Sequence, residues 1–188
     1  SSKIDLIKDT STPSHTRLLD YGCGTGEFLK KAKDYHYDIA GVEPSDKARA
    51  HATKLTTQPI HETLAPKQNA YDIITLWHVL EHIPDLNDKL AQLTNSLSEN
   101  GMMFIAVPNH LSHDAQAYGP MWAGYDVPRH LWHFNQTSMK LLLENHSLKM
   151  LKIMPMKMDA LYVSMLSEQY VNGRKNLMTS LSGLSAGI

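Results

Sequence analysis

Two stretches of this chain carry residue types that could do chemistry, and they point to different reactions. Asp20-Tyr21-Gly22-Cys23-Gly24-Thr25-Gly26 sets three glycines in alternation behind an acid. Glycine at such spacing lets the backbone turn sharply and approach a ligand that a Cβ would repel. His78-Val79-Leu80-Glu81-His82 instead spells H-x-x-E-H, which on a continuous helix can hold zinc beside a catalytic carboxylate.

The spacing discriminates among ligands. A dinucleotide fingerprint needs glycine where Glu27 stands, and a carboxylate there would face pyrophosphate. Glu43, about 20 residues after the first glycine, closes the next β-rich run, where an acid can accept hydrogen bonds from a ribose diol. Together these suggest a ribose-bearing ligand without pyrophosphate; the alternative for Glu43 is a solvated strand end.

The zinc reading needs both histidines on one face of a sustained helix, with a third ligand and an open position for water. Pro84 stands two residues after His82 and disfavours helical geometry at Ile83, so no metal is expected. His110 with His113, and His130 with His133, form further H-x-x-H pairs among eleven histidines. In a loop that spacing suits ordinary hydrogen bonding better than ligation. Cys23 has no identified base and reads as a small packed residue rather than a nucleophile.

The elements that must position these residues follow a doubly wound α/β pattern. "RLLDY" (17–21), "YDIAGVE" (37–43), a short run near 58–62, "YDIITLW" (71–77) and "MMFIAVP" (102–108) predict strands of a mostly parallel Rossmann-like sheet with helices on both faces. Helices are expected over "GEFLKKAKDY", from an N-cap at Ser45, and over "DLNDKLAQLTNSLSENG" with Gly101 as its stop. Residues 110–136 break into an irregular, aromatic- and histidine-rich stretch that reads as a lid. Residues 137–188 predict helix, strand ("LKMLKIMPM") and helix, with no later run that reads as a further, antiparallel strand.

With 188 residues, 42% of them hydrophobic, one core can be filled, so a single domain is expected: a lead-in (1–16), a cofactor-binding core (17–109), the lid and the C-terminal part. A net charge of -1 gives no general attraction to nucleic acid, and none is expected as a partner. One cysteine, the absence of an apolar run of ~18 residues and a polar start fit a cytoplasmic chain with no membrane insertion.

At this point the residues resemble a family: the class I S-adenosylmethionine-dependent methyltransferases. "LLDYGCGTGEFL" looks like their first motif, "GVEPS" like the second, "YDIITLWHVLEHIPD" like the segment closing the cofactor pocket, and "LSENGMMFIAVPN" like the next. "YDVPRHLWHFNQTSMKLLLENHSL" resembles the lid of a small-molecule branch that includes quinone, sugar and natural-product methyltransferases. The resemblance implies that Asp20, Gly22 and Gly24 border the methionine part of the cofactor, and that Glu43 takes the ribose hydroxyls. Thr63 and Leu64 would border the adenine, with Glu62 as the alternative, while Trp77 and His78 line the pocket.

The expected reaction is in-line methyl transfer to a small-molecule acceptor, with S-adenosyl-L-homocysteine as product. If the acceptor is a hydroxyl, His130 and His133 are the expected general bases, with Asp126 or Arg129 orienting the ring or acceptor. Tyr118, Trp122, Tyr125 and Trp132 could form an apolar cover. The rivals are a noncatalytic cofactor-binding partner domain and, behind it, a zinc hydrolase using residues 78–82.

Overall fold

Five runs rich in Ile, Leu and Val pair as parallel strands: β1 (Arg17–Tyr21), β2 (Asp38–Val42), β3 (Ile60–His61), β4 (Tyr71–Trp77) and β5 (Leu97–Ala106). This computed structural model describes residues 3–12, 14–65 and 67–172. The strand order β3-β2-β1-β4-β5 reverses direction between β1 and β4. In such a sheet the crevice at the carboxyl ends of those strands is where ligands bind.

Seven helices accompany the strands among the described residues: α1 (Lys3–Thr10), α2 (Glu27–Asp34), α3 (Asp46–Thr56), α4 (Leu86–Ser96), α5 (His113–Tyr118), α6 (Gln136–Asn145) and α7 (Lys157–Asn172). The chain divides into two compact units, 1–107 and 108–188.

In the first unit, alternation along each strand splits the side chains between two faces. Leu18 and Ile73 face a core shared with Ile4 and Ile7 of α1, Leu29 of α2 and Ala52 of α3. Leu19, Ile74 and Leu76 alternate to the other face and are equally buried, and α4 adds the buried Leu90 and Leu93. The lead-in at 1–16 therefore contains a helix. Two isoleucines three residues apart anchor it, each worth about 1.5–3 kcal/mol of burial.

The helix predicted through Gly101 stops at Ser96. Leu97 fits its leucine spacing but pairs with Tyr71, after which the register jumps so that Ile73 pairs with Met102. The intervening residues bulge, and Ser98 Oγ donates to Asp72 at 3.1 Å.

In the second unit, the stretch expected to be irregular contains α5 and two 3-10 turns, Gly119–Met121 and Ala123–Tyr125. Asn135 caps α6: its side chain accepts from Ser138 N, while Ser138 Oγ accepts from Asn135 N. The strand predicted over 148–156 does not form. A strand exists only with a hydrogen-bonding neighbour, and none among the described residues pairs with it, leaving Leu151 and Ile153 exposed. The antiparallel strand expected to be missing concerns residues beyond 172, outside the described residues.

Candidate functional site

The glycine turn is held by the strand beside it. Gly22 N and Cys23 N both donate to Val42 O, at 2.7 and 3.0 Å, at the end of β2. One residue on, Glu43 accepts from Gly24 N at its Oε2 and from Ser45 N at its Oε1, both at 2.9 Å. Glu43 is buried, at 8% exposure, so it is not a solvated strand end. A carboxylate has about four lone-pair sites, so two remain for a ligand's hydroxyls.

Gly24 is the glycine whose missing side chain leaves room. Its φ is +56°, and a Cβ placed there would meet no heavy atom within 4 Å. Open space above a backbone N–H, beside a carboxylate, is the cradle a ribosyl ligand needs.

Asp20 lies beneath this turn, paired in register with Gly41 of β2 and Thr75 of β4. Thr75 Oγ1 donates to it at 2.6 Å. Burial pushes its carboxyl up to about 7 against the opposing effects of the Thr75 bond and the Lys3 charge. The folded chain thus keeps a proton that the unfolded chain gives up above about pH 4, so this residue's contribution to stability falls as pH rises from about 4 to 7 and then levels off. Asp20→Asn, which keeps the acceptor for Thr75, is expected to melt higher than the parent at pH 8, with the difference shrinking to little at pH 4. Parallel melting curves at both pH values would contradict this.

Cys23 is buried, and its thiol is pushed up to about 12 by burial and then by Asp20 and Glu43. It is a packed residue, not a nucleophile. Glu27 accepts from Thr25 Oγ1 at 2.5 Å.

Trp77 and His78 end β4. Phe28 packs edge-on against the Trp77 ring at 5.5 Å, and Lys3 Nζ sits 4.8 Å from its centroid. The indole N–H is buried without an acceptor among the described residues, an orphan donor that calls for a partner. His78 takes the left-handed conformation, φ 58°, and its N–H donates to Ala106 O. Its Nδ1 lies 3.5 Å from Oε1 of the buried Glu81. The H-x-x-E-H segment continues only as a three-residue 3-10 turn, Leu80–His82, not as a metal-bearing helix.

Thr63 and Leu64 follow β3 and, with Val42, His61 and Glu62, line a cavity of about 340 Å³. Gln92 of α4 donates to Leu64 O at 2.9 Å and fixes that wall. Asp20, Gly22, Gly24, Glu43, Trp77 and His78 therefore come together at the carboxyl ends of β1, β2 and β4, and Thr63 and Leu64 after β3. Sequence reasoning missed Lys3 and Thr75; only their pairing across the fold marks them.

His130 and His133 belong to the second unit. His130 Nδ1 donates to Gly124 O at 2.9 Å, and its Nε2 lies 3.8 Å from Asp126 Oδ2. Asp126 also takes a fork from Arg129, at 2.9 and 2.5 Å. His133 spends Nε2 on Tyr125 O at 3.0 Å and stacks edge-on with that ring.

Two aromatics expected in an apolar cover are tied down instead. Trp122 is buried and donates to Asp114, which also accepts from Ser164 of α7. Tyr118 donates to Glu168 at 2.9 Å, and burial followed by Glu168 pushes its phenol up.

A family model described as a methyltransferase domain matches residues 2–153. The ubiquinone biosynthesis O-methyltransferase of Pelagibacter ubique (strain HTCC1062) is 27% identical over 121 residues, 57% of this chain and 50% of that protein. Its counterpart from Bartonella quintana (strain Toulouse) is 30% identical over 102 residues, 50% of this chain and 41% of that protein. The chain thus spans about half the length of the curated relatives it matches. Among solved structures, a methyltransferase from Thermotoga maritima, described as a possible histamine N-methyltransferase, superposes with a TM-score of 0.62 at 20% identity, covering 77% of this chain and 69% of that one. A methyltransferase from Archaeoglobus fulgidus gives 0.58 at 21%, covering 71% and 61%. These two likenesses establish the fold, and the family model takes in the glycine turn, Glu43, the β4 end and both histidines of the second unit. The chain belongs to this methyltransferase-domain family.

Proposed function

We propose that the chain transfers a methyl group from S-adenosyl-L-methionine to a hydroxyl of a small-molecule acceptor. Family membership implies that cofactor, and the residues present fit it. The observation that carries the reading is Glu43, buried and bonded to Gly24 N at 2.9 Å beside the open space over Gly24. Glu43 has lone pairs left for two ribose hydroxyls, Gly22 and Gly24 border the methionine part with the open space lying over Gly24, and Asp20 supports the turn. Thr63 and Leu64, after β3, would border the adenine, and Trp77 and His78 line the β4 side.

When bound, the cofactor supplies an electrophilic methyl on a sulfonium. The chain's task is then chiefly to hold and align the reactants and exclude water, and positioning can supply ~7–11 kcal/mol of the barrier. His130 serves as the base that takes the hydroxyl proton. Its Nδ1–H, held by Gly124 O, fixes the tautomer, and Asp126 stabilises the imidazolium. His133, with Nε2 on Tyr125 O, is the second candidate base. The relatives' names, O-methyltransferases of ubiquinone biosynthesis, support an oxygen acceptor and a small molecule rather than a nucleic acid.

Calorimetry is expected to show one equivalent of S-adenosylmethionine or S-adenosylhomocysteine bound. Absence of both from a cooperatively folded chain would overturn the reading. With an acceptor in hand, His130→Ala is expected to lower kcat by about 10²–10⁴, and His133→Ala by less. Unchanged turnover in both variants would remove the base.

A further inference from the structure

The turn that follows β4 does more than end a strand. A Cβ built on Gly22 would lie 2.5 Å from Val79 Cγ2, 2.9 Å from its Cγ1 and 3.3 Å from its Cβ. All three heavy atoms of the valine side chain therefore crowd the place that a Cβ on Gly22 would take. This is not the flexible tip of a long side chain, which could swing away: a β-branched residue is stiff at χ1.

Val79 is itself fixed from both sides. His78 before it is held in the left-handed region by its bond to Ala106 O, and Val79 O accepts from His82 N at 3.0 Å. Leu80 after it is fully buried. On the other side of the glycine turn, Val42 O takes both Gly22 N and Cys23 N, and Glu43 takes Gly24 N. The first glycine is thus clamped between the end of β2 and a wedge from the end of β4. A turn with so much conformational freedom would otherwise sample many geometries, and ordering it on binding would cost affinity.

We propose that Val79 is a positioning residue that presets the glycine turn for the cofactor. It acts through Gly22, without being assigned a contact with the cofactor, and the glycine at 22 is required by this wedge whereas the glycine at 24 is required by the ligand. The inference rests on the cofactor reading above, but the shape of the turn can be read without ligand.

Val79→Ala is expected to raise the Kd for S-adenosylmethionine about tenfold and the KM for that cofactor alone, and to speed amide hydrogen exchange over residues 22–26. Val79→Thr, nearly the same shape, is expected to bind within about threefold of the parent. Gly22→Ala is expected to lose binding about a hundredfold or more, and adding Val79→Ala to recover at least tenfold, the remainder reflecting a left-handed alanine. If Val79→Ala exchanges and binds like the parent, or the double variant recovers nothing, the wedge is incidental. If the parent binds no cofactor, the proposed function falls, and the exchange rates still decide this inference.

Discussion

Glu43→Ala is expected to weaken S-adenosylmethionine binding by about 10²–10⁴, the largest loss of any single side chain in the cofactor turn. Two ribose hydroxyl bonds to a charged acceptor are worth about 1.5–3 kcal/mol each, and about 1.4 kcal/mol is a factor of ten. The variant also strips Gly24 N and Ser45 N of their acceptor, so the turn loses its shape before ligand arrives. Glu43→Gln separates the contributions: one oxygen can still serve Gly24 N, while the amide meets Ser45 N donor to donor. Its loss is expected to be intermediate. Calorimetry on chains of parent-like melting temperature is the measurement, and a Glu43→Ala affinity within threefold of the parent would show that the carboxylate serves the fold only.

The place of Glu43 at the end of a β-rich run is legible in the sequence; that it builds the turn through Gly24 N and Ser45 N is not. The sequence displays local order well. β1 and β4 form over the residues their composition marks, because both are buried on two faces and bounded by polar turns. It fails where one residue satisfies two periodicities. Leu97 continues the leucine stripe of α4 yet belongs to β5, and sheet pairing with Tyr71 decides the matter. It fails again at 148–156, where alternating apolar residues promise a strand but no described partner completes it. In the candidate site, the alternating glycines announce a sharp turn without revealing that one of them answers to Val79. Trp122 and Tyr118 look like a cover until Asp114 and Glu168 are seen to hold them.

The second large effect lies at the opposite end of the same sheet. Asp72 Oδ2 accepts from Arg17 N and Arg17 Nε, both at 3.1 Å, and from Thr16 N at 3.3 Å. Its Oδ1 accepts from Arg17 Nη2 at 2.6 Å and from Ser98 Oγ at 3.1 Å. One carboxylate therefore joins the starts of β1 and β4 to the β5 bulge, across a sequence separation of 55 residues that no motif would expose. Asp72→Ala is expected to cost about 2–4 kcal/mol, chiefly for the donors left without an acceptor. The ion pair adds little, since the Arg17 side chain is 43% exposed and keeps its water.

The pH dependence separates Asp72 from Asp20. The Arg17 side chain foremost, with its backbone N–H and Ser98, holds the Asp72 carboxyl well below the usual carboxylate range. Its stabilisation is present above the unfolded pKa of about 4 and fades as pH falls towards the folded value. Asp20 has the opposite sign, contributing less as pH rises from about 4 to 7. Denaturant titrations at pH 7 and pH 3 are therefore expected to show Asp72→Ala far weaker than the parent at pH 7, with the gap narrowing in acid. A gap under about 0.5 kcal/mol at pH 7, the range of ordinary surface substitutions, would mean the network contributes nothing. Because Asp72 lies at the start of β4 and the cofactor turn meets its end, the folded variant is expected to bind S-adenosylmethionine like the parent. The two carboxylates then divide the labour of the sheet, one securing the strands where they begin and the other lying beneath the glycine turn where they end.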